Sequence, residues 1–199
     1  MTFSEFTYKN AHYRIASDKT DIITGRIRIL RRQLEDYIAG SPDFAAALTP
    51  LPAPPPADGA LEIVRRLDAA SRKTGVGPMA AVAGTIAAMA CETAAAGGAK
   101  EAVIDNGGDI FIAGLKEAKP LFIGIYASAG PSFRDLAFRI DPGDIPLAVC
   151  SSSSMMGHSL SVGECDLATV FSPDAALADA AATAACNSVL SAEDIEKVL

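Results

Sequence analysis

A run of alanines near the C-terminus carries two polar side chains whose spacing suggests metal chemistry. In S-P-D-A-A-L-A-D-A-A-A-T-A-A-C-N, residues 172–187, Asp179 and Thr183 are four positions apart, which places both on one face of a helix. A carboxylate among apolar residues needs a partner, because an unpaired buried charge is costly. Carboxylate and hydroxyl oxygens suit Mg²⁺ or Ca²⁺. The pattern predicts a metal site at Asp179 and Thr183; the alternative is a carboxylate capped by backbone or serine donors.

A glycine-rich turn precedes another apolar helix. The stretch G-V-G-P-M-A, residues 75–80, places Pro78 where a helix begins. Free N–H groups at Met79 and Ala80, together with the helix dipole, could hold a phosphate. The alternative is an ordinary turn between two helices.

The stretch D-N-G-G-D, residues 105–109, joins two apolar runs. Asn106-Gly107 is a favoured two-residue hairpin turn. Glycines also let a ligand approach the backbone, so Asn106, Gly107 and Gly108 are candidate binding residues.

A polar loop follows a predicted strand that ends at Cys150. The stretch C-S-S-S-S-M-M-G-H-S-L-S, residues 150–161, offers many hydrogen-bond donors for a phosphate, with Ser151, Ser152 and Ser153 nearest the strand. His158 and the loop amides could also stabilise a thiolate at Cys150 for nucleophilic or sulfur-transfer chemistry. The alternatives are a surface loop and an inert cysteine at the end of a strand.

Around these motifs, hydrophobic periodicity predicts helices followed by strands, which favours an α+β fold. An N-terminal hairpin turning at Asn10-Ala11 and a helix over 21–39, with arginines on its solvated face, precede a proline-rich connector. Ser172 and Pro173 are the expected cap and first residue of the last helix. The remaining predicted helices cover 60–74, 79–96 and 173–189, and the strands cover 101–105, 109–113, 121–126, 136–140, 146–150 and 166–171.

Composition narrows the class of protein. The chain has 199 residues, of which 50% are apolar, enough for the core of one domain. We divide it into a hairpin and helix (1–47), a connector (48–59) and a main body (60–199). A net charge of −7 argues against nucleic acid or an anionic membrane as partner. The four cysteines form no CxxC pair, and the N-terminal residues lack the apolar segment of a signal peptide, so we expect a cytoplasmic protein.

Three motifs together resemble the ApbE-like superfamily. They are G-P-M-A-A-V-A-G at 77–84, V-I-D-N-G-G-D-I-F-I-A-G at 103–114 and A-L-A-D-A-A-A-T-A at 176–184. The characterised members are FAD:protein FMN transferases, once called thiamine-biosynthesis lipoproteins. The chain is most similar to a different, short cytoplasmic branch of the superfamily. The resemblance implies an antiparallel sheet packed against helices rich in small residues.

The resemblance also implies roles for individual residues. Asp179 and Thr183 match the aspartate and threonine that hold Mg²⁺ in the transferases, with a backbone carbonyl from the stretch 79–84. Asn106, Gly107 and Gly108 match the segment that approaches the dinucleotide, FAD or a related nucleotide. A protein acceptor is implied as well, while the oligomeric state stays open.

Two departures from the transferase pattern bear on activity. Relatives carry a lysine in an A-K-G stretch where this chain has Ala83-Gly84, and an H-I-I-D-P-x-T-G stretch where it has G-H-S-L-S-V-G-E. The resemblance therefore implies a Mg²⁺-dependent flavin or nucleotide site with reduced or altered FMN or nucleotidyl-type transfer. The alternatives are a sulfur-transfer protein that uses Cys150 and a non-catalytic binding module.

Overall fold

The N-terminal part of the chain forms a hairpin and three helices. The computed structural model describes residues 1–55, 59–126, 135–154 and 163–198. The hairpin pairs β1 (Ser4–Tyr8) with β2 (Ala11–Ser17), and the helices are α1 (Thr20–Gly40), α2 (Pro42–Ala46) and α3 (Glu62–Thr74). Gly75 ends α3 with a φ of 80°, a left-handed conformation that favours glycine at the end of a helix.

The main body has six strands in succession between two apolar helices. A 3₁₀ turn, Pro78–Ala81, leads directly into α4 (Val82–Ala96). The strands that follow are β3 (Ala102–Asn106), β4 (Asp109–Gly114), β5 (Leu121–Gly124), β6 (Ala137–Ile140), β7 (Leu147–Ser152) and β8 (Ala168–Ser172). The helix α5 (Ala175–Ser188), a 3₁₀ turn (Ala192–Asp194) and α6 (Ile195–Val198) close the described chain.

The strands form one large antiparallel sheet and a separate ribbon. The large sheet has the order β1-β2-β3-β4-β7-β8, and β5 pairs with β6. Alternate residues of a strand point to opposite faces, so Ile104 joins the core beneath the helices while Val103 joins a smaller core beneath the ribbon. The sheet is therefore covered on both faces.

Small residues bring the two central helices close to each other and to the sheet. Gly84 of α4 and Ala180 of α5 are both buried, as the sequence predicts. An α+β fold with an antiparallel sheet against small-residue helices is confirmed. The helical stretch Pro78–Ala96 is long and apolar enough to cross a membrane, yet 56% of its most apolar window is buried inside the protein, as in a core helix.

Three predicted boundaries are wrong. The first hairpin turns at Lys9 and Asn10, because Tyr8 pairs with Ala11. The second turns at Gly107 and Gly108 rather than at Asn106-Gly107, because Asn106 pairs with Asp109; the two glycines have φ values of 72° and 106°.

The last helix also begins later than predicted. Ser172 is still in β8, where it pairs with Ala148. Asp174, not Ser172, caps α5, because its carboxylate accepts a hydrogen bond from the Leu177 N–H at 3.2 Å.

Candidate functional site

The centre of the site is the contact between α4 and α5. The Gly84 N–H donates a hydrogen bond to Asp179 Oδ2 at 2.8 Å. A Cβ at position 84 would lie 2.8 Å from Ala175 O, 3.0 Å from Asp179 Cβ and 3.1 Å from Cys150 Sγ. Only glycine fits here, and this close approach brings a backbone donor to the carboxylate.

Asp179 and Thr183 lie one helical turn apart on α5 and are 7% and 6% exposed. Burial raises the pKa of Asp179 well above its usual range, and the charge of Asp109 raises it further, while the bond from Gly84 opposes the shift. Besides the hydrogen bond from Gly84, a proton or a cation is therefore favoured at the Asp179 carboxylate.

Asp109 is a second buried carboxylate that the sequence reasoning did not select as a site residue. It is 9% exposed, and its Oδ1 atom has no hydrogen-bond partner among the residues described. Burial raises its pKa to about 7, against hydrogen bonds from Cys150 and Ser151 that lower it. The sequence could have indicated Asp109 by its position directly after Gly107 and Gly108. A ligand that approaches the backbone of these glycines also comes close to the next residue.

The turn between β3 and β4 is tied to the same place. Asn106 Nδ2 donates to Ala83 O at 3.1 Å, and Ala83 immediately precedes Gly84. On the other side of the turn, Gly108 N donates to Asp105 Oδ1 at 3.0 Å. Side chains from β3 and α5 therefore meet at a single peptide unit of α4, the one that joins Ala83 to Gly84.

These groups open onto a cavity of about 930 Å³ between the β5–β6 ribbon and one end of the large sheet. Every described residue predicted to bind a cofactor or metal lines it: Met79, Ala80, Asn106, Gly107, Gly108, Ser151, Ser152, Ser153, Asp179 and Thr183. The structure thus brings the separate sequence motifs to one cavity. It also adds walls that the sequence reasoning missed, from the N-terminal hairpin, α1 and the ribbon.

Two details of the predicted phosphate site differ. The Ala80 N–H is not free, because it donates to Gly77 O at 3.1 Å within the 3₁₀ turn. In the serine segment, Ser151 Oγ lies 2.9 Å from Thr169 Oγ1, while Ser152 and Ser153 are buried and have partners of their own. Residues 155–162, including the predicted catalytic His158, lie outside the described residues.

The prediction of a reactive thiolate at Cys150 is wrong. Its side chain is fully buried and does not line the cavity; Sγ lies 3.9 Å from Ala175 O. Burial and the nearby charges of Asp109 and Asp179 raise its pKa well above the usual value, whereas a nucleophilic cysteine needs a lowered one. The reason is strand geometry: Cys150 points to the helical face, while its neighbour Ser151 points into the cavity.

The oxygen atoms around Asp179 could hold a hard cation only if a bound substrate supplies further oxygen atoms. The described residues contain no group of three or more His, Cys, Asp or Glu side chains that could hold a metal. Asp179 and Thr183 offer oxygen atoms, and Asp109 Oδ1 is a buried oxygen that lacks a donor. This set suits Mg²⁺, which keeps waters and binds through one or two carboxylates plus substrate phosphates.

Comparison with known proteins shows to which family this chain belongs. A family model described as "AbpE bacteria" matches residues 14–198. The chain belongs to this family. Among its relatives are a UPF0280 protein of Methanocella arvoryzae, 44% identical over 96% of this chain and 78% of that protein, and one of Methanothrix thermoacetophila, 50% identical over 80% of this chain and 65% of that protein.

Solved structures show that this chain shares the fold of ApbE. The apo form of the flavinyl transferase ApbE of Pseudomonas stutzeri matches 99% of this chain and 89% of its own with a TM-score of 0.58 and 12% identity. The flavin transferase ApbE of Vibrio cholerae matches the same shares with a TM-score of 0.54 and 12% identity. At this identity the likeness establishes the fold alone.

Proposed function

We propose that this AbpE-family chain binds FAD or a related nucleotide together with Mg²⁺, and transfers an FMN or nucleotidyl group with reduced or altered activity. The observation that carries the proposal is the placement of Asp179. Its buried carboxylate is fixed by Gly84, has Thr183 one turn away and faces a cavity of about 930 Å³. That volume is near the upper end of the usual range for small-molecule sites.

Asp109 and Asp179 lie at one end of the cavity, which we call the acidic end. The residues there have distinct roles in this proposal. Asp179 and Thr183 would hold Mg²⁺, with the backbone carbonyls of residues 79–84 nearby. When bound there, Mg²⁺ would neutralise a diphosphate and polarise the bond that breaks. Asn106 holds the β3–β4 turn against Ala83, so Gly107 and Gly108 present backbone without side chains toward the ligand.

The β5–β6 ribbon supplies the wall for a flat ring. Phe122, Tyr126 and Phe138 line the cavity, and the first two are 64% and 73% exposed. Aromatic side chains with so much accessible surface suit stacking against a flavin or adenine ring. The cavity therefore pairs a polar end for phosphates with an aromatic wall for a ring.

The acceptor and the rate are further parts of the proposal. Because the structural neighbours are flavin transferases, we favour flavin as the transferred group. In such a transfer, an acceptor hydroxyl oxygen bonds to the FMN phosphorus, the diphosphate P–O bond breaks, AMP leaves, and the hydroxyl proton passes to a base. Because Ala83 stands where relatives carry lysine, we expect slow transfer.

We place the protein in the cytoplasm, since four free cysteines are typical of a reducing compartment.

A turnover assay tests this proposal. The protein is incubated with FAD, Mg²⁺ and a threonine-containing acceptor peptide, and mass spectrometry measures AMP and flavinylated peptide. The matched variants are Asp179→Asn on α5 and Asp174→Asn at the N-cap of the same helix, where asparagine is also a good cap.

We expect slow AMP release that requires Mg²⁺ and Asp179 but tolerates Asp174→Asn. Binding of FAD without AMP release would reduce the proposal to a binding module. Failure to bind FAD at all would overturn it.

A further inference from the structure

Two of the four cysteines meet at the C-terminal end of α5. Cys186 belongs to the last turn of that helix, and Cys165 lies in the segment that leads into β8. The Cys186 Sγ lies 3.8 Å from the Cys165 carbonyl oxygen, and the two thiols are hydrogen-bonded to each other. Both are free thiols outside the cavity lining. The proposed function gives neither of them a role.

The backbone holds the segment before β8 against the end of α5. Glu164 N donates a hydrogen bond to Val189 O at 2.9 Å. A Cβ at position 163 would overlap with the Cys186 carbonyl oxygen, so Gly163 is what allows the two backbones to come so close. The contact between Cys165 and Cys186 therefore rests on fixed backbone, and it does not depend on one side-chain rotamer alone.

The two thiols differ in exposure. Cys165 is partly exposed, whereas Cys186 is 0% exposed and lies behind it. Ser154 ties the pair together, because its N–H donates to Cys165 O at 3.0 Å and its Oγ lies 3.3 Å from Cys186 Sγ. Burial and the Cys186 thiol raise the pKa of Cys165, so its thiolate is scarce at neutral pH and reacts slowly there. A dissolved reagent reaches Cys165 first.

The other two cysteines provide an internal reference. Cys91 and Cys150 are both 0% exposed, and burial raises the pKa of each thiol. Cys91 Sγ lies 3.7 Å from Phe111 O, and Cys150 Sγ lies 3.9 Å from Ala175 O. Neither is accessible to a dissolved reagent in the folded protein.

We propose that Cys165 and Cys186 form a modification site at which a small-molecule disulfide converts the two thiols into an intramolecular disulfide. The new bond fastens the segment before β8 to α5, the helix that carries Asp179 and Thr183. In a reducing compartment the pair stays as two thiols, and it is oxidised when small disulfides accumulate. The inference does not depend on the proposed function.

The reaction is a thiol–disulfide exchange in two steps. First, the Cys165 thiolate attacks one sulfur of the reagent R–S–S–R; the reagent's S–S bond breaks, and R–S⁻ leaves and takes up the proton that Cys165 has lost. Next, the Cys186 sulfur attacks the Cys165 sulfur, and the second R–S⁻ leaves with the proton from Cys186. Two protein thiols are oxidised, and one reagent disulfide is reduced to two thiols.

Oxidised glutathione tests this site in the native protein. The wild type, Cys165→Ser and Cys186→Ser are incubated with it at mildly alkaline pH, digested without reduction and analysed by mass spectrometry. Serine has nearly the size of cysteine, so both variants keep the packing of the segment. Cys91 and Cys150 are followed in every sample.

We expect a disulfide between Cys165 and Cys186 in the wild type, with Cys91 and Cys150 unmodified. Cys186→Ser should stop at a glutathione adduct on Cys165, which accumulates to at least about ten times the wild-type level, because the neighbouring thiol that resolves it is missing. Cys165→Ser should stay unmodified, because Cys186 is buried.

Thermal denaturation shows whether the bond fits the native contact. The oxidised wild type should unfold about 5–10 °C above the reduced protein, because a disulfide constrains the unfolded chain. Dithiothreitol should reverse the gain, and Cys165→Ser treated in the same way should show none.

A glutathione adduct on Cys165 that persists equally in the wild type and in Cys186→Ser would overturn the inference. So would an unmodified Cys165, a disulfide that joins two chains or includes Cys91 or Cys150, or an oxidised protein that unfolds no later than the reduced one. Because no flavin or metal is present, these results are independent of the turnover assay.

Discussion

The two ends of the cavity use charge in opposite ways. At the acidic end, Asp109 and Asp179 are 9% and 7% exposed, and α4 and α5 meet closely through Gly84. At the other end, which we call the basic end, the hairpin and α1 line the cavity with Arg14 and Arg31. The Arg14 side chain is 61% exposed and water can solvate its charge. The acidic end therefore carries a cost in stability that a cation offsets, while the exposed charge of Arg14 carries almost none.

Changing Gly84 should have the largest effect, because it disrupts the acidic end at its backbone. In Gly84→Ala the new Cβ would meet Ala175 O at 2.8 Å, so the helices must separate. We expect the free energy of unfolding in urea to fall by about 1–3 kcal/mol. The control is Gly25→Ala in α1, where nothing lies within 4 Å and alanine should stabilise the helix by about 0.5–1 kcal/mol. Equal effects at the two glycines would show that the helices are not closely packed.

Removing the charge of Asp109 should have the next largest effect. Its pKa is about 7 in the folded protein and about 4 in an unfolded chain, so the folded state binds more protons between these values. The contribution of Asp109 to stability is therefore greatest at acid pH and is lost as pH rises from about 4 through about 7. Asp109→Asn should flatten this slope and raise the free energy of unfolding at mildly alkaline pH by on the order of 2 kcal/mol.

Urea unfolding at a series of pH values checks this prediction. Asp36→Asn, an exposed residue of α1, is the control and should leave the slope unchanged. Mg²⁺ should stabilise the wild type most at alkaline pH. A pH dependence of stability that is the same in Asp109→Asn as in the wild type would contradict the assignment.

One asparagine at each end of the cavity allows a comparison of smaller effects on stability. Asn106 donates to Ala83 O at the acidic end, and Asn10 accepts from Arg31 at the exposed basic end. We expect Asn106→Ala to lower the free energy of unfolding by about 1–2 kcal/mol, because it leaves a partly buried carbonyl without its donor. Asn10→Ala should change it by less than about 0.5 kcal/mol. Thermal denaturation of both variants measures these losses. A larger loss in Asn10→Ala than in Asn106→Ala would show that the basic end is the more rigid of the two.

Arg14→Gln should have the smallest effect on stability. Its contact with Asp105 is long and exposed, so the free energy of unfolding should change by no more than about 0.5 kcal/mol. A loss of more than about 1 kcal/mol in urea unfolding would mean that Arg14 is structural rather than available for a ligand.

The acidic end was largely predictable from the sequence because its signals are local. Asp179 and Thr183 are polar residues at helical spacing in an apolar run, and the glycines at 107 and 108 mark a turn that only glycine favours. Asp109 was missed because its burial depends on β7 and α5, which are distant in sequence.

The basic end and Cys150 could not be predicted for the same physical reason. Whether Arg31 faces solvent or a cavity depends on where α1 packs relative to β2. Whether Cys150 or Ser151 faces the ligand depends on which face of β7 the helices cover, because alternation in a strand fixes the pattern but not its direction.

Mg²⁺-dependent binding of FAD is the most direct test of the central claim. Isothermal titration with the wild type, Asp179→Asn and Asp174→Asn, each in Mg²⁺ and in EDTA, gives the Kd for FAD in every case. We expect binding in Mg²⁺ that weakens by at least about tenfold, or 1.4 kcal/mol, in EDTA or in Asp179→Asn, and that is unchanged in Asp174→Asn. FAD affinity that is the same with and without Mg²⁺, or the same in Asp179→Asn as in the wild type, would contradict the account.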